Sequence, residues 1–246
     1  MITFQLPSAD EKADYVHRQF ERIARRYDLT NDVISMGMHR LWKQRAVDEL
    51  GCKGHGRYLD VCCGTGDLAL TIAARLSDRA KVTGVDFSES MLAIAQDRGR
   101  RAWRREKTAC ELEWRRGDAQ DLPFASNSFD GAIISFGLRN LTDFQAGINQ
   151  MRRVVRPGGK VINLDLGDST LPWFAEAFNM YFRHVVPVIG AVLQNDRQAY
   201  TYLPESRRTY PKPAQLSAMF EEAGLVEVRH IPLALGSVAL HVGTVV

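Results

Sequence analysis

Residues 57–70 read RYLDVCCGTGDLAL. The apolar run Tyr58–Val61 leads into Gly64-Thr65-Gly66-Asp67 and then into a stretch of helical character. A strand that turns on glycines into a helix opens an α/β sheet of the kind that binds an adenosine-bearing ligand. Glycine belongs at Gly64 and Gly66 because the chain must turn sharply and let a ligand approach its backbone. Asp86 ends the next apolar run, KVTGVDF, 20 residues after Gly66. A carboxylate there accepts hydrogen bonds from ribose hydroxyls. Loop and acid alone leave two ligands open, a nicotinamide dinucleotide and S-adenosylmethionine.

Outward from the loop, strands and helices alternate. Strands are expected at RYLDVC, KVTGVDF, LEWRRG, FDGAIISF and KVINLDL. Helices are expected at 66–76, 89–105 and 143–156, the last ended by Pro157-Gly158-Gly159. The alternation predicts a mostly parallel sheet with helices on both faces. Residues 1–50 read as an N-terminal helical cap, helical from residue 11, and 57–166 as the cofactor-binding core. Residues 171–210 read as a helical, aromatic-rich insertion on the substrate side. A helix at 213–223 and a final antiparallel pair, LVEVRHIPL and SVALHVGTVV, close a single domain spanning 1–246.

Three features separate the two ligands. Asp60 lies four residues before Gly64; an acid there suits a cationic amino-acid tail and would repel a pyrophosphate. GDAQDLPF (117–124) follows the third strand, where Asp118 can accept from an adenine amino group and the Ala119 amide can donate to the ring. FDGAIISFGLRN and VVRPGGK continue the same sheet in order. Together with Thr65 in the loop and Ser135 at the end of the fourth strand, these residues resemble the class I S-adenosylmethionine-dependent methyltransferases. The resemblance implies a seven-stranded Rossmann-like sheet with one antiparallel edge strand and S-adenosylmethionine as cofactor.

It narrows outside the cofactor half. FERIARRYDLTNDVISMGMHRLWK (20–43), FGLRNL (136–141) and RVVRPGGKV (153–161) resemble signatures of the menaquinone and ubiquinone biosynthesis C-methyltransferases. YFRHVVPVIG, YLPESRRTYP and SVALHVG are similar to members too, so that the match covers roughly 15–244. VCCGTGD is closer to the menaquinone branch. Two departures stand on the substrate side: NLDLGDST, where the family more often has glutamate followed by threonine or serine, and LGSVAL, which lacks a double glycine. The resemblance implies methyl transfer to a ring carbon of a prenylated quinol, demethylmenaquinol before a ubiquinone-pathway benzoquinol.

That chemistry needs alignment of carbon, methyl and sulfur, stabilisation of phenolate charge and a proton acceptor. Arg139 is placed to stabilise the phenolate or polarise a water, being always cationic, with Asn140 orienting the same group and Tyr27 as a further candidate. His241 is read as a core histidine. The aromatic insertion suits an isoprenoid tail, or equally the ordinary packing of a helical cap.

Composition sets the remaining bounds. The 246 residues are 45% hydrophobic and 25% charged with net charge +3, an ordinary globular balance. The pI near 8.7 falls short of the value above about 9 that marks nucleic-acid binders. RGRRAWRREK (98–107) is a basic cluster that an RNA methyltransferase could use; the plainer reading is a solvated helix face, so no nucleic-acid partner is expected. Neither a signal peptide nor a membrane span is expected, and Cys52, Cys62, Cys63 and Cys110 lack the paired spacing of a zinc site. The expectation is a cytoplasmic enzyme with reduced thiols and no metal, able to rest on a membrane surface and to form a homodimer.

Overall fold

A computed structural model describes residues 9–194 and 209–246. Most of YLPESRRTYP lies outside the described residues. The strands are β1 (Arg57–Val61), β2 (Lys81–Asp86), β3 (Glu111–Arg116), β4 (Phe129–Ser135), β5 (Val155–Leu166), β6 (Leu225–Leu233) and β7 (Val238–Val245). They form one sheet in the order β3-β2-β1-β4-β5-β7-β6. Strands β1 to β5 pair in parallel, and β7 runs antiparallel between β5 and β6. The reversed strand is therefore one place in from the edge rather than at it, because β6 and β7 form a hairpin whose second strand inserts beside β5. Strand order reverses between β1 and β4, and ligands of open α/β sheets bind at the carboxyl ends of strands at such a switch point. The glycine loop follows β1 and FGLRN follows β4, so the topology brings both to that crevice.

Residues 9–50 form three helices: α1 (Ala9–Ile23), α2 (Tyr27–Ser35) and α3 (Met38–Leu50). The break between α2 and α3 is made by Met36 and Gly37, both left-handed, with φ of 50° and 74°. The core helices are α4 (Asp67–Ala73), α5 (Glu89–Arg104) and α6 (Phe144–Val154). Each of the latter two starts on a side-chain cap: Ser88 accepts from the Met91 amide at 3.2 Å and Asp143 from the Ala146 amide at 2.9 Å. The insertion forms α7 (Pro172–Met180), a π-helical turn (Tyr181–Val185) and α8 (Val186–Gln194), and α9 (Pro213–Glu222) precedes the hairpin. Ile148, Met151, Leu216 and Phe220 of α6 and α9 bury one face of the sheet. Val47, Leu50, Leu68 and Ile72 of α3 and α4 bury the other.

The stop expected at Pro157-Gly158-Gly159 is not a turn between elements. The helix ends earlier, at Val154, and the three residues form a bulge inside β5, where pairing jumps from Phe129–Val155 to Gly131–Lys160. A side chain at Gly159 would meet the Asp130 carbonyl at 2.6 Å, so glycine lets β5 pass close to β4 there.

The two loop glycines serve different ends. At Gly64, φ +53°, an added Cβ would find only the Tyr27 ring edge, at 4.0 Å, leaving the backbone approachable. At Gly66, φ +79°, it would strike the Trp114 ring at 2.5 Å. Gly66→Ala is expected to cost about 2–5 kcal/mol, the sum of overpacking and a left-handed non-glycine residue. Gly158→Ala, at φ +80° with nothing within 4 Å, should cost only the backbone share. Denaturant unfolding of the two variants side by side checks this.

Candidate active site

Asp86 is buried at the end of β2 and is wrapped by amides: Oδ2 accepts from Gly64 N at 2.8 Å and Oδ1 from Ser88 N at 2.9 Å. Burial pushes its carboxyl up to about 6, against the pull of those donors. The predicted ribose acceptor thus also shapes the glycine loop. Asp60 is buried at the end of β1, and its Oδ2 accepts from Ala69 N at 2.9 Å in α4. Burial raises its carboxyl to about 8, with Lys43 pulling the other way. It is a buried acid with no ion-pair partner within 4 Å among the described residues, which suits a site that takes a cation from a ligand. Asp118 is exposed and folds back on Gln120, accepting from its amide at 2.8 Å, beside buried Ala119.

Thr65 joins an ionic cluster that the sequence does not announce. Its hydroxyl bonds Asp28 of α2 at 2.6 Å, and Arg98 of α5 reaches Asp28 at 2.7 Å and Asp67 at 2.9 Å. Lys43 of α3 completes it at 2.9 Å from Asp67. Burial opposes ionisation of Asp67, but Lys43 and Arg98 outweigh it and hold the carboxyl far below the usual range. The cluster fastens the N-terminal cap to the loop. Within 98–107, expected as a solvated helix face, Arg98 is turned inward to Asp28 and Asp67, while Trp103 is 60% exposed.

A cavity of about 520 Å³ opens beside this seat. It is lined by Tyr27, His39, Trp42 and Lys43 from the cap, Ser135, Phe136 and Arg139 after β4, and Phe174, Phe178, Tyr181 and Phe182 from the insertion. Phe174, Phe178 and Phe182 follow one helix face with neighbouring ring centres 5.9 and 4.5 Å apart. Tyr181 fastens the π-helical turn to α2 by donating to the Ile34 carbonyl at 2.8 Å. Ser135 Oγ is buried in the wall with no hydrogen-bond partner among the described residues.

Arg139 is 7% exposed, and its Nη1 lies 2.6 Å from Asp165 Oδ1. Asp165 is fully buried and also accepts from the Leu166 amide at 2.8 Å. The ion pair and the cavity position coexist: Asp165 aims the guanidinium, and Arg139 still faces the space. NLDLGDST thus keeps an acid where one is needed, as the partner of Arg139. Lys12 of α1 secures the same turn by donating to the carbonyls of Arg139 at 3.3 Å and Leu141 at 2.5 Å.

Asn140 is not brought to the cavity. Its amide donates to the Phe136 carbonyl at 3.3 Å and stiffens the turn that presents Arg139. His241 is a core residue on β7, bonded to the Pro213 carbonyl at 2.9 Å, and burial pulls it down to about 4. Tyr27, Thr65, Asp86 and Arg139 do converge on one region. The pairing of His39 with Asp32 is not legible in the sequence, because the two left-handed residues between their helices break the periodicity that would relate them.

The four cysteines are free, and burial pushes the thiols of Cys62 and Cys63 well up. No helix among the described residues is long and apolar enough to cross a membrane.

Comparison with known proteins agrees with this geometry. A Thermotoga maritima structure described as a SAM-dependent methyltransferase, possible histamine N-methyltransferase, superposes with a TM-score of 0.63 at 19% identity, covering 93% of this chain and 98% of that one. Phosphoethanolamine N-methyltransferase 2 of Haemonchus contortus, in complex with S-adenosyl-L-methionine, gives 0.58 at 16% identity over 82% of this chain and 52% of its own. These likenesses establish the class I methyltransferase fold. In sequence, the chain is 41% identical over 233 residues to demethylmenaquinone methyltransferase of Desulfitobacterium hafniense, covering 95% of this chain and 90% of the relative. It is 38% identical over 239 residues to the Staphylococcus aureus protein of the same name, covering 96% and 95%. Residues 8–245 match the profile of the ubiE/COQ5 methyltransferase family, and the chain belongs to that family.

Proposed function

We propose that this protein transfers a methyl group from S-adenosylmethionine to a ring carbon of demethylmenaquinol, yielding menaquinol. The observation that carries the reading is a single cavity that runs from the Tyr27 edge of the glycine loop, past Arg139, to an aromatic wall on α7 and the π-helical turn. A polar reacting end and an apolar tail channel suit a prenylated quinol better than a nucleotide or a small polar amine.

The residues of the seat suit the cofactor. Asp86 would take the ribose hydroxyls, Asp118 and the Ala119 amide the adenine, and buried Asp60 the cationic end beyond Gly64, Thr65 and Gly66. The Ser135 hydroxyl, buried and without a partner among the described residues, would bond a polar group of the ligand. S-adenosylmethionine supplies an electrophilic methyl group on a sulfonium. For the substrate, Arg139 holds negative charge as it develops on the quinol oxygen, pre-aimed by Asp165 and so needing little reorganisation. Tyr27 and Phe136 orient the ring.

The rim also favours a membrane surface as the source of substrate. Met36 and Leu235 line the cavity and are 83% and 55% exposed, and Trp173, Met180 and Val192 present apolar groups nearby on the insertion. Such side chains insert into a bilayer interface.

The test is to incubate the protein with S-adenosylmethionine and chemically reduced demethylmenaquinone, and to seek a product heavier by one methylene. No methylated quinone, with S-adenosylmethionine still binding, refutes the substrate assignment.

A further inference from the structure

We infer that His39 is the catalytic proton acceptor of this site, taking the quinol hydroxyl proton on its Nδ1 while Asp32 holds the ring by Nε2. The inference rests on the quinol reading above.

His39 sits in the first turn of α3, is nearly buried and lines the cavity that Arg139 also lines. Its Nε2 is 2.8 Å from Asp32 Oδ1 in α2. Arg40 clasps the same carboxylate with Nε at 2.8 Å and Nη2 at 2.6 Å. Those two bonds outweigh burial and, with His39, bring Asp32 down to about 2. Asp32 is therefore ionised and can only accept, so Nε2 carries a hydrogen, and in the neutral tautomer this leaves the basic lone pair on Nδ1. A carboxylate that fixes an imidazole in one tautomer and supports its protonated form is a recurrent acid–base device.

The other charged and titratable groups of the wall are unsuited to the task. Lys43 is held by Asp67 at 2.9 Å, and Arg139 is paired with Asp165 and cannot lose a proton. Tyr181 donates its hydroxyl to the Ile34 carbonyl. Tyr27 contributes a phenol, a donor and weak acceptor. That leaves the imidazole of His39 among the described lining residues.

The step balances without an added reagent. The hydroxyl O–H bond breaks, its proton forms a bond to Nδ1, and the electron pair left on oxygen moves into the ring. The neighbouring ring carbon then bonds the methyl carbon, and the pair of the C–S bond stays on sulfur. The ring hydrogen then leaves as a proton to solvent water, the C–H pair restores the aromatic ring and returns a lone pair to oxygen, and oxygen takes back the Nδ1 proton, which restores the quinol. Arg139 steadies the oxygen while its charge is greatest. A cation that stabilises and an imidazole that accepts divide work that no single guanidinium could perform.

The test uses His39→Ala and His39→Gln in the full chain, with Asp32→Asn as a probe of positioning. Both His39 variants should lose turnover by about 10²–10⁴-fold, the usual yield of a positioned base, while S-adenosylmethionine affinity by calorimetry stays near wild type. Added imidazole should restore turnover to His39→Ala, and the acidic limb of kcat/KM for the quinol, read at saturating S-adenosylmethionine so that Asp86 does not contribute, should vanish. Asp32→Asn should lose less and keep that limb at a shifted pH. If His39→Ala folds poorly, His39→Gln, which preserves volume and a donor toward Asp32, carries the test. Turnover near wild type in either variant, or a loss that imidazole does not repair with the acidic limb intact, overturns the assignment. A wild type that binds S-adenosylmethionine but leaves demethylmenaquinol unmethylated overturns the quinol reading and this inference with it.

Discussion

Arg139→Ala is expected to reduce methyl transfer by about 10²–10³-fold, the cost of removing one donor aimed at developing oxygen charge, while leaving S-adenosylmethionine binding nearly intact. The structure adds a second effect. Asp165 is fully buried and its short contact is to Nη1 of Arg139. Removing one member of a buried pair strands the other, which costs about 3–5 kcal/mol. A poorly active Arg139→Ala protein would therefore be ambiguous by itself. The double variant Arg139→Ala/Asp165→Asn removes the stranded charge while keeping an acceptor for the Leu166 amide. It should recover most of the lost stability in denaturant unfolding and none of the turnover. Recovery of both would reduce Arg139 to a packing element, and near-normal turnover in the single variant would end its assignment.

Asp86→Ala should show the opposite signature, a large loss of cofactor affinity. Two hydrogen bonds to an ionised carboxylate are worth about 3–6 kcal/mol together, or about 10²–10⁴-fold in affinity. The loop also loses the acceptor that positions Gly64 N and Ser88 N. Burial raises the Asp86 carboxyl to about 6, so the carboxylate is present above that pH and protonated below it. Affinity should accordingly fall as pH drops through about 6, and Asp86→Asn should lose that dependence along with most of the binding. Calorimetric titration across the range reads both effects, and unchanged affinity in the alanine variant would refute the role.

The parallel core is legible in the sequence because its strands are buried on both faces and read as continuous apolar runs, as in FDGAIISF. The cofactor acids are legible because Asp60 and Asp86 stand at strand ends at set distances from the glycines. What periodicity cannot convey is which charges meet across helices. Asp28, Arg98 and Asp67 are far apart in the chain and join only when the cap folds over the loop. Asp165 looks like a departure from pattern until Arg139 is seen against it. Asn140 is adjacent to Arg139 in sequence, yet the turn directs the two side chains to different places. Pro157-Gly158-Gly159 signals a stop, but a bulge between paired strands satisfies the same residues.

The ionic cluster around Thr65 has a consequence for what counts as the smallest folding unit. Residues 57–166 contain β1 to β5 together with the glycine loop, Asp60 and Asp86, and would be the obvious fragment to express alone. That fragment would discard Asp28 and Lys43, leaving the Thr65 hydroxyl without its acceptor and Asp67 with one cation instead of two. It would discard Lys12, which holds the carbonyls of the Arg139 turn. It would also uncover the apolar sheet face that Ala46, Val47 and Leu50 bury. The leading helices come first in the chain but behave energetically as part of the core, so truncation there should abolish cooperative unfolding rather than merely open a lid.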